Sequence, residues 1–140
     1  NEACVPCAAG YYQKDAGQGQ CLPCIPSSFN PLPGRSTSCQ PCAENTFSSS
    51  TAATSCDACG IGEQAEVESA KCSKCDAGES GTGADGSCEA CAQGRYRTSA
   101  MDADSCAPCA VGFAQNSIGQ ASCLPCVPGE FSSTVGAKIW

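Results

Sequence analysis

Hydrophobic and polar positions along this chain follow neither of the two usual periods. Large apolar side chains occur singly, separated by Cys, Gly, Pro, Ser and Ala. No window carries the 3.6-residue apolar spacing of an amphipathic helix, except a faint one at residues 64–71. No apolar run approaches the ~18 residues of a membrane span. The recurring apolar feature is a lone aromatic at Tyr12, Phe29, Phe47, Tyr96 and Phe131, with Phe113 one place early in its own stretch. The pattern predicts strands of two to four residues around each aromatic, separated by turns, and little helix.

The aromatics keep step with cysteine. All 16 Cys fall into eight C-x-x-C pairs: Cys4/Cys7, Cys21/Cys24, Cys39/Cys42, Cys56/Cys59, Cys72/Cys75, Cys88/Cys91, Cys106/Cys109 and Cys123/Cys126. Successive pairs are separated by 12 to 14 residues, a repeat of 16 to 18 that spans the chain. Pro precedes the second Cys at Pro6, Pro23, Pro41, Pro108 and Pro125, and Ser precedes a new pair at Ser38, Ser55, Ser87, Ser105 and Ser122. Gly stands three residues after the second Cys at Gly10, Gly62, Gly78, Gly94, Gly112 and Gly129, and the aromatic two residues later. Gly there permits the positive φ of a tight turn, and Pro narrows the unfolded ensemble without needing a hydrogen bond. The aromatic is expected to lie across the neighbouring disulfide as a local core. The fourth and fifth repeats depart from this, with Gln64 and Ser80 at the aromatic position and no Pro.

Composition explains why sulfur recurs. Leu, Ile, Val and Phe number 16 of 140 residues, below the ~20% at which chains fail to fold on apolar burial alone. At roughly 1.5–3 kcal/mol per buried large side chain they cannot offset ~1–2 kcal/mol of backbone entropy per residue. A single large hydrophobic core is excluded, so covalent or metallic cross-links must hold the fold. The net charge of −7 with only seven Lys and Arg excludes a nucleic-acid or anionic-membrane surface. The absence of His removes Ser–His–Asp and Cys–His catalysis. With no initiator Met and no signal peptide, the chain reads as a processed or excised segment.

C-x-x-C pairs at this spacing also match four-Cys zinc sites. Against zinc stand the even spacing, which separates no intra-site from inter-site loops, and the lack of basic helices. A thioredoxin-like role needs an α/β frame that the pattern does not supply. Structural disulfides at all 16 Cys, with no cofactor and no metal, are therefore expected. A bridge within C-x-x-C would leave the long loops unstapled. Two schemes remain. One crosses adjacent pairs, as 4–21/7–24, 39–56/42–59, 72–88/75–91 and 106–123/109–126. The other joins the second Cys of each pair to the first of the next, leaving Cys4 and Cys126 for partners outside the segment. Only the crossed scheme closes every Cys, which favours it. Each loop of about 17 residues adds roughly 3 kcal/mol in the chain-entropy picture.

The expected fold class is small and disulfide-rich: an elongated tandem-repeat rod of short β-strands and turns, little helix, and no single hydrophobic core. Its length would be on the order of 100 Å, far below the ~3.4 Å per residue of an extended chain. The crossed scheme divides it into four Cys-rich modules at residues 1–38, 39–71, 72–105 and 106–140.

The consensus C-x-P-C-x-x-G-x-[YF], followed by Ser before the next pair, resembles the ephrin-receptor-like cysteine-rich repeat over about residues 3–135. Cys7-Ala-Ala-Gly10-Tyr-Tyr12 and Cys91-Ala-Gln-Gly94-Arg-Tyr96 carry the resemblance best. It is more distantly similar to tumour-necrosis-factor-receptor and furin-like modules and to C-x-x-C-rich protist surface antigens. The resemblance implies an elongated, disulfide-laddered extracellular stalk, often with crossed bridges, and no activity.

The functional expectation is a non-enzymatic extracellular or cell-surface structural protein, a stalk, spacer or filament subunit. Its partners would be copies of itself or neighbouring modules of a longer chain. The alternative is a receptor-type ectodomain module that binds a protein ligand. Eight acids (Asp57, Glu63, Glu66, Glu68, Asp76, Glu79, Asp85 and Glu89) face only Lys71 and Lys74 between Cys56 and Cys91. This is a solvated face first and a site for a basic partner second. Asp76-Ala-Gly-Glu-Ser-Gly fails calcium-loop spacing, and Asp102/Asp104 is a lone D-x-D. Ser48-Ser49-Ser50-Thr51 offers O-glycan positions, making a glycoprotein. No N-x-[ST] acceptor exists. The tail at residues 135–140 is the candidate docking patch.

Overall fold

The computed structural model describes residues 3–82 and 86–138. Among them are fourteen strands of two or three residues and no helix. In chain order they are β1 (Tyr11–Tyr12), β2 (Leu22–Pro23), β3 (Ser28–Phe29), β4 (Gln40–Pro41), β5 (Thr46–Phe47), β6 (Asp57–Ala58) and β7 (Glu63–Gln64). There follow β8 (Ser73–Lys74), β9 (Glu79–Gly81), β10 (Cys88–Ala90), β11 (Arg95–Tyr96), β12 (Ala107–Pro108), β13 (Phe113–Ala114) and β14 (Leu124–Pro125). Each odd strand pairs with the next even one as a separate two-stranded sheet. Where the register is defined, the pairing is antiparallel.

The register follows from the repeat. The residue five after the second Cys faces the residue just after the first Cys of the next pair, as in Tyr12↔Leu22, Phe29↔Gln40, Phe47↔Asp57 and Tyr96↔Ala107. The same register survives without an aromatic, as Ser80↔Glu89 and Ala114↔Leu124. Pro fits these sheets because a two-stranded ribbon leaves each strand one unpaired edge.

The chain divides into two compact units, Asn1–Cys59 with Ala65–Ser73, and Gly60–Gln64 with Lys74–Trp140. In the first unit the buried side chains are Cys7, Cys24, Cys42, Cys59, Ser28, Asn30, Ser48 and Ala65. In the second they are Cys75, Cys91, Cys106, Cys109, Ser80, Arg97, Ala103, Ala114 and Gln115. In both, most of these are either the second Cys of a pair or the residue six after it. Every Leu and Val, and every described Ile, is exposed, up to 81% at Val5. The interior is sulfur and satisfied amide, with the aliphatic side chains outside.

Polar interiors are tolerable only when fully hydrogen-bonded. Asn30 Nδ2 donates to the Tyr11 carbonyl at 2.8 Å, and its Oδ1 accepts the Leu32 N–H at 3.2 Å. Gln115 repeats this, its Nε2 donating to the Ser122 carbonyl and its Oε1 accepting from Ser117 N–H. Among the described residues no buried side-chain nitrogen or oxygen lacks a partner.

Two sequence expectations change. The aromatics do not form the local core: Tyr12, Phe29, Phe47 and Tyr96 are half-buried, Phe113 is 41% exposed and Phe131 is 84% exposed. They cover a ribbon whose interior the disulfides already fill. Residues 64–71 are not helical. Their backbone groups bond across repeats instead, Ala65 C=O accepting from Asn45 N–H, Glu68 N–H donating to Cys42 C=O, and Ser69 C=O accepting from Ser48 N–H. Glu68 also has φ +67°, which no right-handed helix contains.

Candidate functional site

Seven disulfides form one uninterrupted series: Cys7–Cys21, Cys24–Cys39, Cys42–Cys56, Cys59–Cys72, Cys75–Cys88, Cys91–Cys106 and Cys109–Cys123. Each joins the second Cys of one pair to the first of the next, so the crossed scheme is corrected to the sequential one. Fourteen of the sixteen Cys are therefore bridged. Cys4, exposed, and Cys126, half-buried, are free thiols. The physical reason is the hairpin register. The two-stranded ribbon brings the residue five after one Cys beside the residue following the next, which sets the flanking Cys Cα atoms 5.7–5.8 Å apart, within bridging range.

Backbone hydrogen bonds repeat with the bridges. The carbonyl three residues after each second Cys accepts the N–H of the next second Cys: Gly10 from Cys24 at 2.9 Å, Ser27 from Cys42 at 2.9 Å, and on to Gly112 from Cys126 at 2.9 Å. The N–H of the same turn residue donates to the residue six after that next Cys, as Gly10 to Asn30 at 2.8 Å and Gly94 to Gln115 at 2.6 Å. The second Cys carbonyl accepts from a loop N–H of the next repeat, as Cys7 from Gly34 at 2.7 Å and Cys109 from Gly136 at 2.8 Å. One covalent tie and one hydrogen-bonded tie thus recur at every junction between repeats, and the other two hydrogen bonds at most of them.

The turn residue carries two of these three hydrogen bonds, one through its carbonyl and one through its N–H. It has positive φ in every repeat, +77° to +91° at the six Gly predicted for it, and +79° and +62° at Ser27 and Asn45, which replace Gly. At Gly10, Gly78 and Gly94 a Cβ would also collide with the carbonyl of Ala52, Gly119 and Gly136, two repeats along. A second positive-φ position lies nine to eleven residues after the second Cys in seven of the eight repeats, at Gly17, Gly34, Ala52, Glu68, Gly86, Gly119 and Gly136. At Gly34, Ala52, Glu68, Gly119 and Gly136 it supplies the loop N–H that ties to the Cys carbonyl of the preceding repeat. The signal for it was in the sequence as a second spaced Gly, unread because Ala52 and Glu68 break the series.

Sequence reasoning also missed Arg97. Its guanidinium is buried (1% exposed) and donates to five carbonyls: Nε to Glu79, Nη1 to Thr98 and Met101, Nη2 to Cys75 and Asp76. Three of those carbonyls belong to the fifth repeat, the one with Ser80 where others carry an aromatic. A neighbouring side chain supplies the bracing that this repeat lacks.

The remaining candidates stay apart. In the first unit Asp57, Glu66 and Glu68 are exposed; in the second Asp76 and Glu89 are exposed and Glu63 and Glu79 half-buried, with Asp85 outside the described residues. Asp102 and Asp104 are both exposed. Among the described residues no group of three Cys, Asp or Glu converges as a metal site, and no helix is long and apolar enough to cross a membrane. Of the serine run, Ser49, Ser50 and Thr51 are exposed but Ser48 is buried, which removes Ser48 as a glycan position. In the tail Val135 is exposed, while Gly136 and Ala137 are bound by backbone to Cys109 and Gln115; Ile139 and Trp140 lie outside the described residues. The eighth repeat opens a cleft of about 580 Å³ lined by Leu124, Cys126, Val127, Gly129 and Phe131.

Comparison with curated proteins returns no match. The family described as tyrosine-protein kinase ephrin type A/B receptor-like matches residues 1–34 and 98–139. The unmatched stretch contains the two repeats without an aromatic, yet the bridges and the turn register run through it unchanged. A repeat of this kind is an extracellular cysteine-rich module, and fourteen oxidised Cys fit that setting. The chain therefore belongs to the ephrin type A/B receptor-like family of cysteine-rich repeats.

Proposed function

We propose that this chain is a non-enzymatic structural element at a cell surface, a spacer or filament subunit whose stiffness resides in its disulfide ladder. The observation that carries this reading is the sequential bridging. Every repeat is joined covalently to the next, so tension passes through sulfur and short C-x-x-C links instead of through a meltable core. Limited proteolysis tests it. The oxidised protein should survive a broad-specificity protease under conditions where the reduced protein is digested within minutes. Equal digestion of both forms would end the reading.

The acidic stretch from Asp57 to Glu89 supports a second reading, a module that receives a basic protein ligand. Alanine at Glu63, Glu66 and Glu68 would then weaken capture of a basic partner. A spacer would be unaffected by the same substitutions.

A further inference from the structure

The sixth repeat is the one without a positive-φ residue in its loop. Met101 stands there instead, ten residues after Cys91. An L side chain enters the left-handed region only at a cost, and this loop turns the other way. Met101 N–H reaches back to the Thr98 carbonyl at 3.2 Å and closes a tight turn. The Cys75 carbonyl is left without the loop N–H that its equivalents at Cys7, Cys24, Cys42, Cys91 and Cys109 receive, and it accepts from Arg97 Nη2 instead.

Sulfur closes the same turn a second time. Thr98 N–H donates to Met101 Sδ at 3.4 Å, so Thr98 is held through its N–H by the thioether and through its carbonyl by the Met101 N–H. The Thr98 and Met101 carbonyls are also the two acceptors of Arg97 Nη1, each at 3.1 Å. The buried guanidinium thus takes two of its five acceptors from one turn, and that turn is fastened by a sulfur. Met101 is the one methionine of the chain and is half-buried, within reach of solvent. The flanking Cys91 and Cys106 are bridged to each other and offer no thiol to intercept an oxidant.

We propose that Met101 is a peroxide-modification site whose oxidation loosens the joint between the fifth and sixth repeats. A sulfur lone pair attacks one oxygen of hydrogen peroxide and the O–O bond breaks. The departing hydroxide takes the proton of the transferred oxygen and leaves as water, and the sulfoxide remains. Sulfur loses two electrons and the peroxide gains them. A thioether sulfur has two lone pairs. Oxidation at the engaged one displaces the Thr98 N–H, and oxidation at the other leaves the sulfur too electron-poor to accept it. The sulfoxide oxygen stands one bond farther out, so the turn opens before that oxygen can replace the sulfur. Opening parts the Thr98 and Met101 carbonyls, and Arg97, 1% exposed, loses acceptors where water does not replace them. The joint lies inside the second unit and would respond in a spacer and in a ligand-binding module alike.

The test uses the whole disulfide-bonded chain, with Cys4 and Cys126 capped by a maleimide, treated with hydrogen peroxide. Peptide mass mapping should place one added oxygen on Met101. Hydrogen exchange followed by NMR should then quicken at least ~tenfold at the Thr98, Gly78 and Glu79 amides. The Gly10 and Asn45 amides, bonded to Asn30 and Ala65 in the first unit, should keep their protection. Met101→Leu preserves the bulk of the side chain and removes the sulfur. Its Thr98 amide should exchange faster from the start, and peroxide should change nothing further. Four outcomes would overturn the proposal: a Met101 that resists peroxide while free methionine in the same tube is consumed, a sulfoxide that leaves exchange at Thr98, Gly78 and Glu79 unchanged, equal acceleration at Gly10 and Asn45, or a Met101→Leu protein that responds to peroxide as the parent does.

Discussion

Reduction under load gives the most direct test of the ladder. Cys7 and Cys123 are separated by 116 residues of sequence, a contour of ~390 Å at ~3.4 Å per residue. With the bridges intact, the shortest covalent path crosses seven disulfides of about 5.8 Å between Cα atoms. It also includes six three-residue C-x-x-C links, making roughly 100 Å in all. A molecule held by handles at its termini should therefore stop extending early in oxidising buffer and gain ~290 Å when a phosphine reductant is added. Because each bridge closes its own loop of 13 to 15 residues, the gain should come as seven steps of ~40 Å. Crossed modules would behave differently. Their shortest path is ~190 Å, so they would release only ~200 Å, and cutting one bridge of a crossed pair would release little. Optical-tweezer traces with that smaller total, or with four large steps, would refute the sequential pairing and the mechanical argument built on it.

Three other perturbations probe the unusual interior. Arg97→Ala strips donors from five carbonyls and should cost about 3 kcal/mol or more; faster hydrogen exchange at the Gly78 and Glu79 amides would report it, and unchanged protection would contradict the bracing role. Removing one bridge as Cys42→Ser with Cys56→Ser should cost ~3 kcal/mol, measured as a lowered guanidinium midpoint with the other six bridges intact. Ile25→Ser and Val67→Ser, at exposed positions, should change that midpoint by no more than ~0.5 kcal/mol, and a larger loss at either site would mean that the aliphatic side chains matter to the fold.

The fold class was legible because cysteine spacing and a scarcity of apolar residues leave few other solutions. The turn at Gly10, Gly62, Gly78, Gly94, Gly112 and Gly129 was legible because only that residue type enters positive φ freely. Pairing was not, since sequential and crossed bridges satisfy the same spacing and the hairpin register decides between them. Position six after the second Cys escaped notice for a related reason. Two amides (Asn30 and Gln115), a hydroxyl (Ser48), a methyl (Ala65) and a guanidinium (Arg97) fill it, and what all five share is a location set by the bridge before them. Arg97 in particular looks like an ordinary surface cation until five carbonyls are found around it.

The bridges never interleave, and that bears on how such a protein is made. Each joins two cysteines 13 to 15 residues apart, with no later segment needed to complete an earlier one. A chain emerging at roughly 5–20 residues per second presents the next bridging partner every ~1–3 seconds, in the order the finished molecule requires. Oxidation during export can thus proceed like a zip closing behind the translocation pore, and the number of available thiols at any moment stays small. A sixteen-cysteine polypeptide would otherwise face an enormous choice of mispairings, and locality, not proofreading by isomerases, keeps that choice narrow.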